Sequence, residues 1–396
     1  MPECVETIGA DNRKIRVSGW RPVSLVWLLF VLIFAGATIF GFRMTRAAAL
    51  IYSLTNAPRS APVKVYSRFF ADQSTVSEFW IQGRKSRLRI RMLTPKGAPN
   101  APMIILVHGF VREGAQNPVI SALAEGLCKS GLRVVVPYIE SEQNFRIEPA
   151  AVDEIDDVVR WSAKASGEKV SLFGISYSGG MVVSAAANPG YSDLVKMVFC
   201  VSGYNSIDRV GRFYLHDGAA GPDGKPYAVV PDAGALTAMA MQYVDDLVPP
   251  EDIQPMLAGL HAIAANRRPA VTGGQSAMLD DLVHVNTPEM RARYRAVLDR
   301  HHAELAYLSP AGRIQQVHAS VYVLHGAVDD IIPSTEAEWT QAEASHQRSV
   351  KVIITPWMHH AVLAPYVPPQ EKVRVVFFVS QMLDEALNRV PEPVVH

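Results

Sequence analysis

The stretch Lys169 to Gly180 reads K-V-S-L-F-G-I-S-Y-S-G-G and constrains the rest of the chain more than any other. Val170 to Phe173 is a short, mostly apolar run of the kind a buried strand makes, and it ends at Gly174. Ser176 follows two residues later, and the helix-friendly run Met181 to Asn188 is stopped by Pro189-Gly190. A strand, a tight turn with a serine at its tip and a helix predict a strained turn that pushes the serine hydroxyl clear of the sheet. So sharp a turn needs small residues two before and two after the serine, and Gly174 and Ser178 meet that need. The helix behind the turn supplies free N–H groups and a partial positive charge where an oxygen would turn anionic. Ser178 has Ser176 and Gly180 at its own flanking positions and stands as the alternative tip; the strand end at Gly174 favours Ser176.

Strands and helices alternate around this stretch. Pro102 to His108 carries M-I-I-L-V, a continuous apolar run of the kind found where helices cover both faces of a parallel sheet. Pro118 to Ser130 predicts a helix ended by Gly131, Arg133 to Pro137 a strand, and Pro149 to Ser166 a helix stopped at Gly167. Lys196 to Val201, Ser320 to Leu324 and Val350 to Thr355 predict further strands, and 370–388 a final helix. The expected fold class is α/β, a doubly wound and mostly parallel sheet. Val63 to Phe70 and Arg87 to Thr94 alternate as half-buried strands do and are expected as antiparallel strands at one sheet edge.

The alternation stops between Ser202 and Gln316, where Ala233 to Leu247, Glu251 to Asn266 and Pro288 to Leu308 predict helices, the last with Thr287 as N-cap. The core is therefore expected in 63–204 and 317–396, with a helical insertion at 205–316. His301-His302 lies in this insertion; adjacent helical positions point different ways, so the pair predicts a solvated face rather than a metal site.

Val23 to Phe42 holds no charge over 20 residues, enough at about 1.5 Å per residue to match the roughly 30 Å core of a bilayer. We expect a membrane helix at 22–42 after a polar tail at 1–21, followed by a linker at 43–62; a cleaved signal peptide is the alternative. Four basic residues stand before the helix (Arg13, Lys14, Arg16, Arg21) and three after it (Arg43, Arg46, Arg59), which leans towards a cytoplasmic N-terminus and an extracytoplasmic body. Charge is balanced, 38 basic against 38 acidic residues, which argues against a nucleic-acid partner. Three scattered cysteines, Cys4, Cys128 and Cys200, fit neither a disulfide framework nor a zinc site.

The serine turn, Gly174-Ile175-Ser176-Tyr177-Ser178, resembles the G-x-S-x-G elbow of the α/β-hydrolase superfamily, with serine in place of the last glycine. Three further segments carry the resemblance, which spans about 63–390. His108-Gly109-Phe110 follows a strand where this superfamily completes its oxyanion hole, which implies paired N–H groups of Phe110 and Tyr177; the H-G-G-G form is absent. His325-Gly326-Ala327-Val328-Asp329-Asp330-Ile331-Ile332-Pro333 matches H-G-x-x-D-x-x-x-P, which implies Asp329 as the triad acid, with Asp330 as the alternative. Pro356-Trp357-Met358-His359-His360-Ala361 matches P-W-x-x-H-A, which implies His360 as the base; His359 fits a loop one residue shorter. The insertion sits where the superfamily places a cap.

The resemblance implies a serine hydrolase of the esterase or lipase kind, working through Ser176, Asp329 and His360 on a small-molecule ester, lipid-like where the anchor brings it to a bilayer. It implies no metal and no organic cofactor. A peptidase or acyltransferase on the same fold, or a catalytically silent membrane-tethered binding protein, are the alternatives. The absence of a propeller before the hydrolase part weighs against prolyl-oligopeptidase-like peptidases.

Overall fold

The computed structural model describes residues 22–54, 60–71, 73–344 and 349–391. The predicted tail at 1–21, residues 55–59 of the predicted linker, and Cys4 lie outside the described residues. The chain divides after Arg43 into two units.

Helix α1 runs from Pro22 to Ser53. Within the first unit its side chains from Trp27 to Phe42 are exposed and, Thr38 apart, apolar, and this is the one helix among the described residues long and apolar enough to cross a membrane. The predicted linker at 43–62 is a correction: α1 stays helical to Ser53, and from Met44 on it belongs to the second unit. Ala47, Leu50 and Ile51 are buried there, and Arg46 pairs with Asp384 at 2.7 Å. The strand predicted at Val63 to Phe70 is a second correction, because Ala61–Phe69 is helix α2. Its alternating pattern misled because only Val63 and Tyr66 are buried, a spacing of three that marks one face of a helix.

The sheet then forms in the order β1 (Ser74–Gln82), β2 (Arg87–Pro95), β3 (Met103–Val107), then α3 (Pro118–Lys129) and β4 (Arg133–Pro137). A short α4 (Glu140–Gln143) and α5 (Pro149–Ser166) lead to β5 (Val170–Ile175), α6 (Tyr177–Ala186) and β6 (Val195–Val201). The insertion contributes α7 (Ile207–Tyr214), α8 (Ala233–Leu247), α9 (Ile253–Ala264), α10 (Gly274–His284), α11 (Pro288–Arg300) and α12 (His302–Leu308). The sheet resumes with β7 (Ser320–Gly326), followed by α13 (Thr335–Glu343), β8 (Val350–Thr355), the short pair β9 (Met358–His359) and β10 (Val362–Leu363), and α14 (Pro369–Leu387).

Eight strands lie in the order β1-β2-β4-β3-β5-β6-β7-β8. β1 and β2 are antiparallel at one edge, β2 pairs antiparallel with β4, and the remaining neighbours are parallel. The parallel strands β3, β4, β5 and β6 are buried almost throughout, which is why they read as continuous apolar runs. Two cores flank the sheet. Ile104, Leu106, Phe173 and Phe199 face α3, α14 and the end of α1, while Ile105, Val107 and Leu172 face α5, α6 and the insertion. Helix α5 ends where the sequence predicts, with Gly167 in the left-handed region at φ 67°.

Candidate active site

The serine turn is built by one glycine and one strained serine. A side chain on Gly174 would meet the carbonyl oxygen of Ser178 at 2.3 Å, so only glycine fits where β5 turns into α6. Ser176 sits at φ 60° and ψ −129°, a conformation L-residues adopt only when their surroundings impose it. β5 runs one residue past the predicted end at Gly174. Ser178 is fully buried, and its hydroxyl binds the Val107 carbonyl at 3.0 Å and the Ile175 carbonyl at 2.8 Å. It also lies within hydrogen-bond distance of the Ile175 N–H at 3.0 Å. Ser178 thus ties the turn to β3, and Ser176 is the serine at the tip.

Ser176 Oγ lies 2.8 Å from His360 Nε2. His360 Nδ1 lies 3.1 and 3.0 Å from the two carboxylate oxygens of Asp329. The carboxylate can only accept, so Nδ1 carries the proton and Nε2 accepts from the serine hydroxyl. Asp329 follows β7 and His360 follows β9, so the three side chains reach one place from three sheet-end turns. His360 has φ 49°, and its carbonyl accepts from the Ser202 hydroxyl at 2.8 Å, which holds this unfavourable turn in place. His359 points to solvent and lies 3.5 Å from Asp330, so neither joins this cluster.

Asp329 is fully buried, which alone would favour its neutral form. Hydrogen bonds from His325 and His360, and the charge those rings can carry, outweigh burial and hold the carboxyl well below the usual range. Its Oδ1 also accepts from the N–H groups of Ile331 and Ile332 at 3.0 and 2.9 Å. The sequence reading missed Tyr227. Its hydroxyl accepts from the Asp329 N–H at 2.7 Å and donates to the Asp329 carbonyl at 3.0 Å, clamping the backbone of the acid. A lone tyrosine in a Gly/Pro-rich loop carries no local signal for that contact.

Phe110 and Tyr177 stack at 4.5 Å between ring centroids. Neither amide N–H has a hydrogen-bond partner among the described residues. Gly109 before Phe110 has φ 73°, and a side chain there would meet the Ile175 carbonyl at 2.9 Å. Its N–H donates to the buried carboxyl of Glu142 at 3.1 Å. The Tyr214 hydroxyl donates to the Ile331 carbonyl at 2.7 Å, so its close partner at 2.5 Å, the Tyr177 hydroxyl, is the donor to it. This chain of contacts joins the serine turn, the insertion and the acid loop. Burial pushes both phenols up, so they stay neutral.

Ser176, His360, Phe110 and Tyr177 line one cavity of about 1150 Å³. Among the described residues no cluster of three or more metal-ligating side chains occurs. His301 of the insertion is tied to Asp246 at 2.9 Å and to Glu304 at 3.1 Å.

Comparison with solved structures finds the acylaminoacyl peptidase of Pyrococcus horikoshii at 13% identity and TM-score 0.48, covering 86% of this chain and 46% of that one. This chain thus spans less than half the length of that peptidase. Brefeldin A esterase, a bacterial homologue of human hormone-sensitive lipase, is 13% identical over 86% of both chains at TM-score 0.48. A fungal esterase of Rhizomucor miehei is 13% identical at TM-score 0.44, covering 86% of this chain and 97% of that one. No curated protein matches the sequence. The family profile described as X-Pro dipeptidyl-peptidase (S15 family) matches residues 83–361, well over half of the chain. The chain belongs to this family, serine hydrolases of the α/β-hydrolase fold.

Proposed function

We propose that this protein is a membrane-anchored serine hydrolase that cleaves carboxylic esters, with Ser176 as nucleophile, His360 as base and Asp329 as the acid that orients it. The observation that carries the reading is the position of His360, within hydrogen-bond distance of Ser176 on one ring nitrogen and Asp329 on the other. An unassisted alcohol is a weak nucleophile at neutral pH. His360 Nε2 takes the hydroxyl proton as Ser176 Oγ attacks the ester carbonyl, and Asp329 stabilises the imidazolium that forms. The N–H groups of Phe110 and Tyr177 hold the resulting oxyanion, each contributing roughly 3 kcal/mol. His360 then protonates the departing alkoxide. Water, activated by the same nitrogen, releases the acid and restores the serine. The insertion acts as a cap over the cavity.

The family description favours a second reading, release of X-Pro dipeptides. A free peptide amino terminus brings a positive charge that must be paired when it leaves water. Among the described residues Asp232 is the one acidic residue lining the cavity, a single carboxylate whose Oδ1 also caps α8 at the Gly234 N–H, 2.7 Å away. The lining is otherwise mostly apolar, which suits an ester better. Labelling with a fluorophosphonate probe, followed by a panel of esters and X-Pro anilides, separates the two. We expect labelling that is lost in Ser176→Ala and turnover of esters well above anilides. Labelling that survives in Ser176→Ala but is lost in Ser178→Ala overturns the nucleophile, and faster anilide turnover makes the enzyme a peptidase.

The anchor is α1. Cleavage near Ala48 to Leu50 would remove Ala47 and Arg46 from a packed interface, which supports retention. A retained helix survives a carbonate wash and is extracted by detergent; a mature N-terminus near Ala48 by mass spectrometry would mark it as a removed signal.

A further inference from the structure

The cavity at Ser176 exceeds the roughly 300–1,000 Å³ of most small-molecule sites. It has two limbs. One lies under the insertion, along Ala238 and Met241 of α8. The other lies in the core on the opposite face of the sheet. It is lined by Phe173 and Phe199 of the sheet, Leu123 of α3, Val379 of α14, and Leu50 and Ile51 of α1.

Helix α1 lines this second limb and packs on both α3 and α14. A side chain on Gly126 of α3 would meet Ser53 Oγ at 2.7 Å and Leu50 Cδ1 at 2.8 Å, and Arg46 binds Asp384 of α14. Asn117 is the polar residue on the α3 side of the limb, and its side-chain oxygen is already committed to the N–H groups of Val119 and Ile120. Its Nδ2 donates to Glu113 at 3.2 Å, so among the described residues this side offers a headgroup or peptide little to pair with, while a hydrocarbon chain loses nothing by entering. The helix that lines the limb is covalently continuous with the exposed apolar stretch from Trp27 to Phe42.

We propose that the limb between α3, α14 and the end of α1 holds the long acyl chain of a lipid-class ester whose carbonyl is at Ser176. This rests on the ester-hydrolase reading above. The leaving alcohol then lies on the side of the insertion, and Leu50 and Ile51 are residues that set acyl length.

The test uses the full chain in bilayer discs with p-nitrophenyl esters from acetate to palmitate. kcat/KM is expected to rise by up to about fourfold per added methylene while the chain fills the limb. Ile51→Trp and Val379→Phe, on two different helices, should each lower kcat/KM on laurate and palmitate at least tenfold more than on butyrate. Ala238→Phe, in the other limb, should not shift the ratio. A second measurement needs no turnover: Ser176→Ala is photolabelled with palmitate bearing a terminal diazirine, and the adducts are mapped. Adducts are expected on peptides of α1, α3 and α14. Adducts confined to the insertion, a wild-type rate that does not rise beyond butyrate, or equal losses at all lengths in both lining variants overturn the proposal. Hydrolysis that persists in Ser176→Ala overturns the triad instead, and the photolabelling still decides the limb.

Discussion

Asp329 and Glu142 are both shielded from water and both face a histidine, yet they hold opposite charge states. Asp329 accepts from two backbone N–H groups and from His360, and His325 Nε2 stands 3.3 Å away. Among the described residues Glu142 accepts from the Gly109 N–H alone, and its second oxygen has no partner. His108 stands 3.4 Å from it but is turned elsewhere. Its Nδ1 contacts the Gly109 carbonyl at 2.6 Å, and its Nε2 accepts from the Ile139 N–H at 3.2 Å. Burial, with little to oppose it, pushes Glu142 up to about 8, and it also pushes the His108 ring down, so both are neutral near pH 7. Burial sets the penalty for charge, and the count of donors aimed at the carboxyl decides whether the penalty is overcome. One pair is equipped to stabilise a cation at His360; the other is a neutral brace under the Gly109-Phe110 turn.

The largest expected difference between the two corners is catalytic. Asp329→Asn should lower kcat on a p-nitrophenyl ester by about 10⁴-fold, the loss known when a triad acid can no longer fix the histidine tautomer. Glu142→Gln keeps shape and neutrality and should lower kcat by less than about tenfold, since it touches no reacting atom. Similar losses in the two variants would erase the distinction.

Next comes the dependence of stability on pH. Between about 4.5 and 8 the folded chain keeps a proton on Glu142 that the unfolded chain has released. Stability therefore falls as pH rises through that window, by up to about 1.4 kcal/mol per unit for this one group. Glu142→Gln should remove that contribution, so its Tm should gain on the parent steadily from pH 5 to 8. Asp329 has the reverse sign: held low, it adds stability that is complete above about 4 and is lost only as pH falls further. A Tm difference between parent and Glu142→Gln that stays constant with pH would show Glu142 to be ionised.

Tyr227→Phe sharpens the picture of the acid corner. It removes the hydroxyl that binds both backbone groups of Asp329, and thermal unfolding should show a loss of about 1–3 kcal/mol. No loss would mean that the side-chain donors alone place the acid. The smallest effect is expected for His359→Ala, an exposed neighbour of His360, the proposed base. Its kcat should change by about twofold or less, and a loss as large as that of His360→Ala would move the base by one residue.

The architecture was largely legible because its parallel strands are buried on both faces and so appear as unbroken apolar runs. Arg133–Pro137 has the predicted bounds for this reason; Val350–Thr355 has them too, although as the other edge strand it is only partly buried. The edge strand β1 was not legible, since most of its side chains are exposed and leave no pattern. Helix α7 was missed because its turns lie in the stretch where the alternation had already stopped. Four motifs at strand ends raised the expectation of Ser176, Asp329, His360 and the amides of Phe110 and Tyr177, and the first three side chains do lie together, because a motif records which residue types must stand at fixed offsets along one segment.

What lay beyond reach depends on partners far away in sequence. The strand end at Gly174 favours Ser176 over Ser178 along the chain, but only the Val107 carbonyl, brought alongside from β3, shows that Ser178 is a structural tie. Tyr227 reaches Asp329 across 102 positions, and Glu142 meets the Gly109 N–H across 33, with α3 and β4 between them. The apolar character of α1 and the order serine, aspartate, histidine are properties of the chain itself, set by side-chain chemistry and spacing. The charge on each buried carboxyl, and the cavity lining that α1 shares with α3 and α14, were decided only by tertiary structure. Desolvation, donor count and cavity shape do not exist until distant segments are packed together.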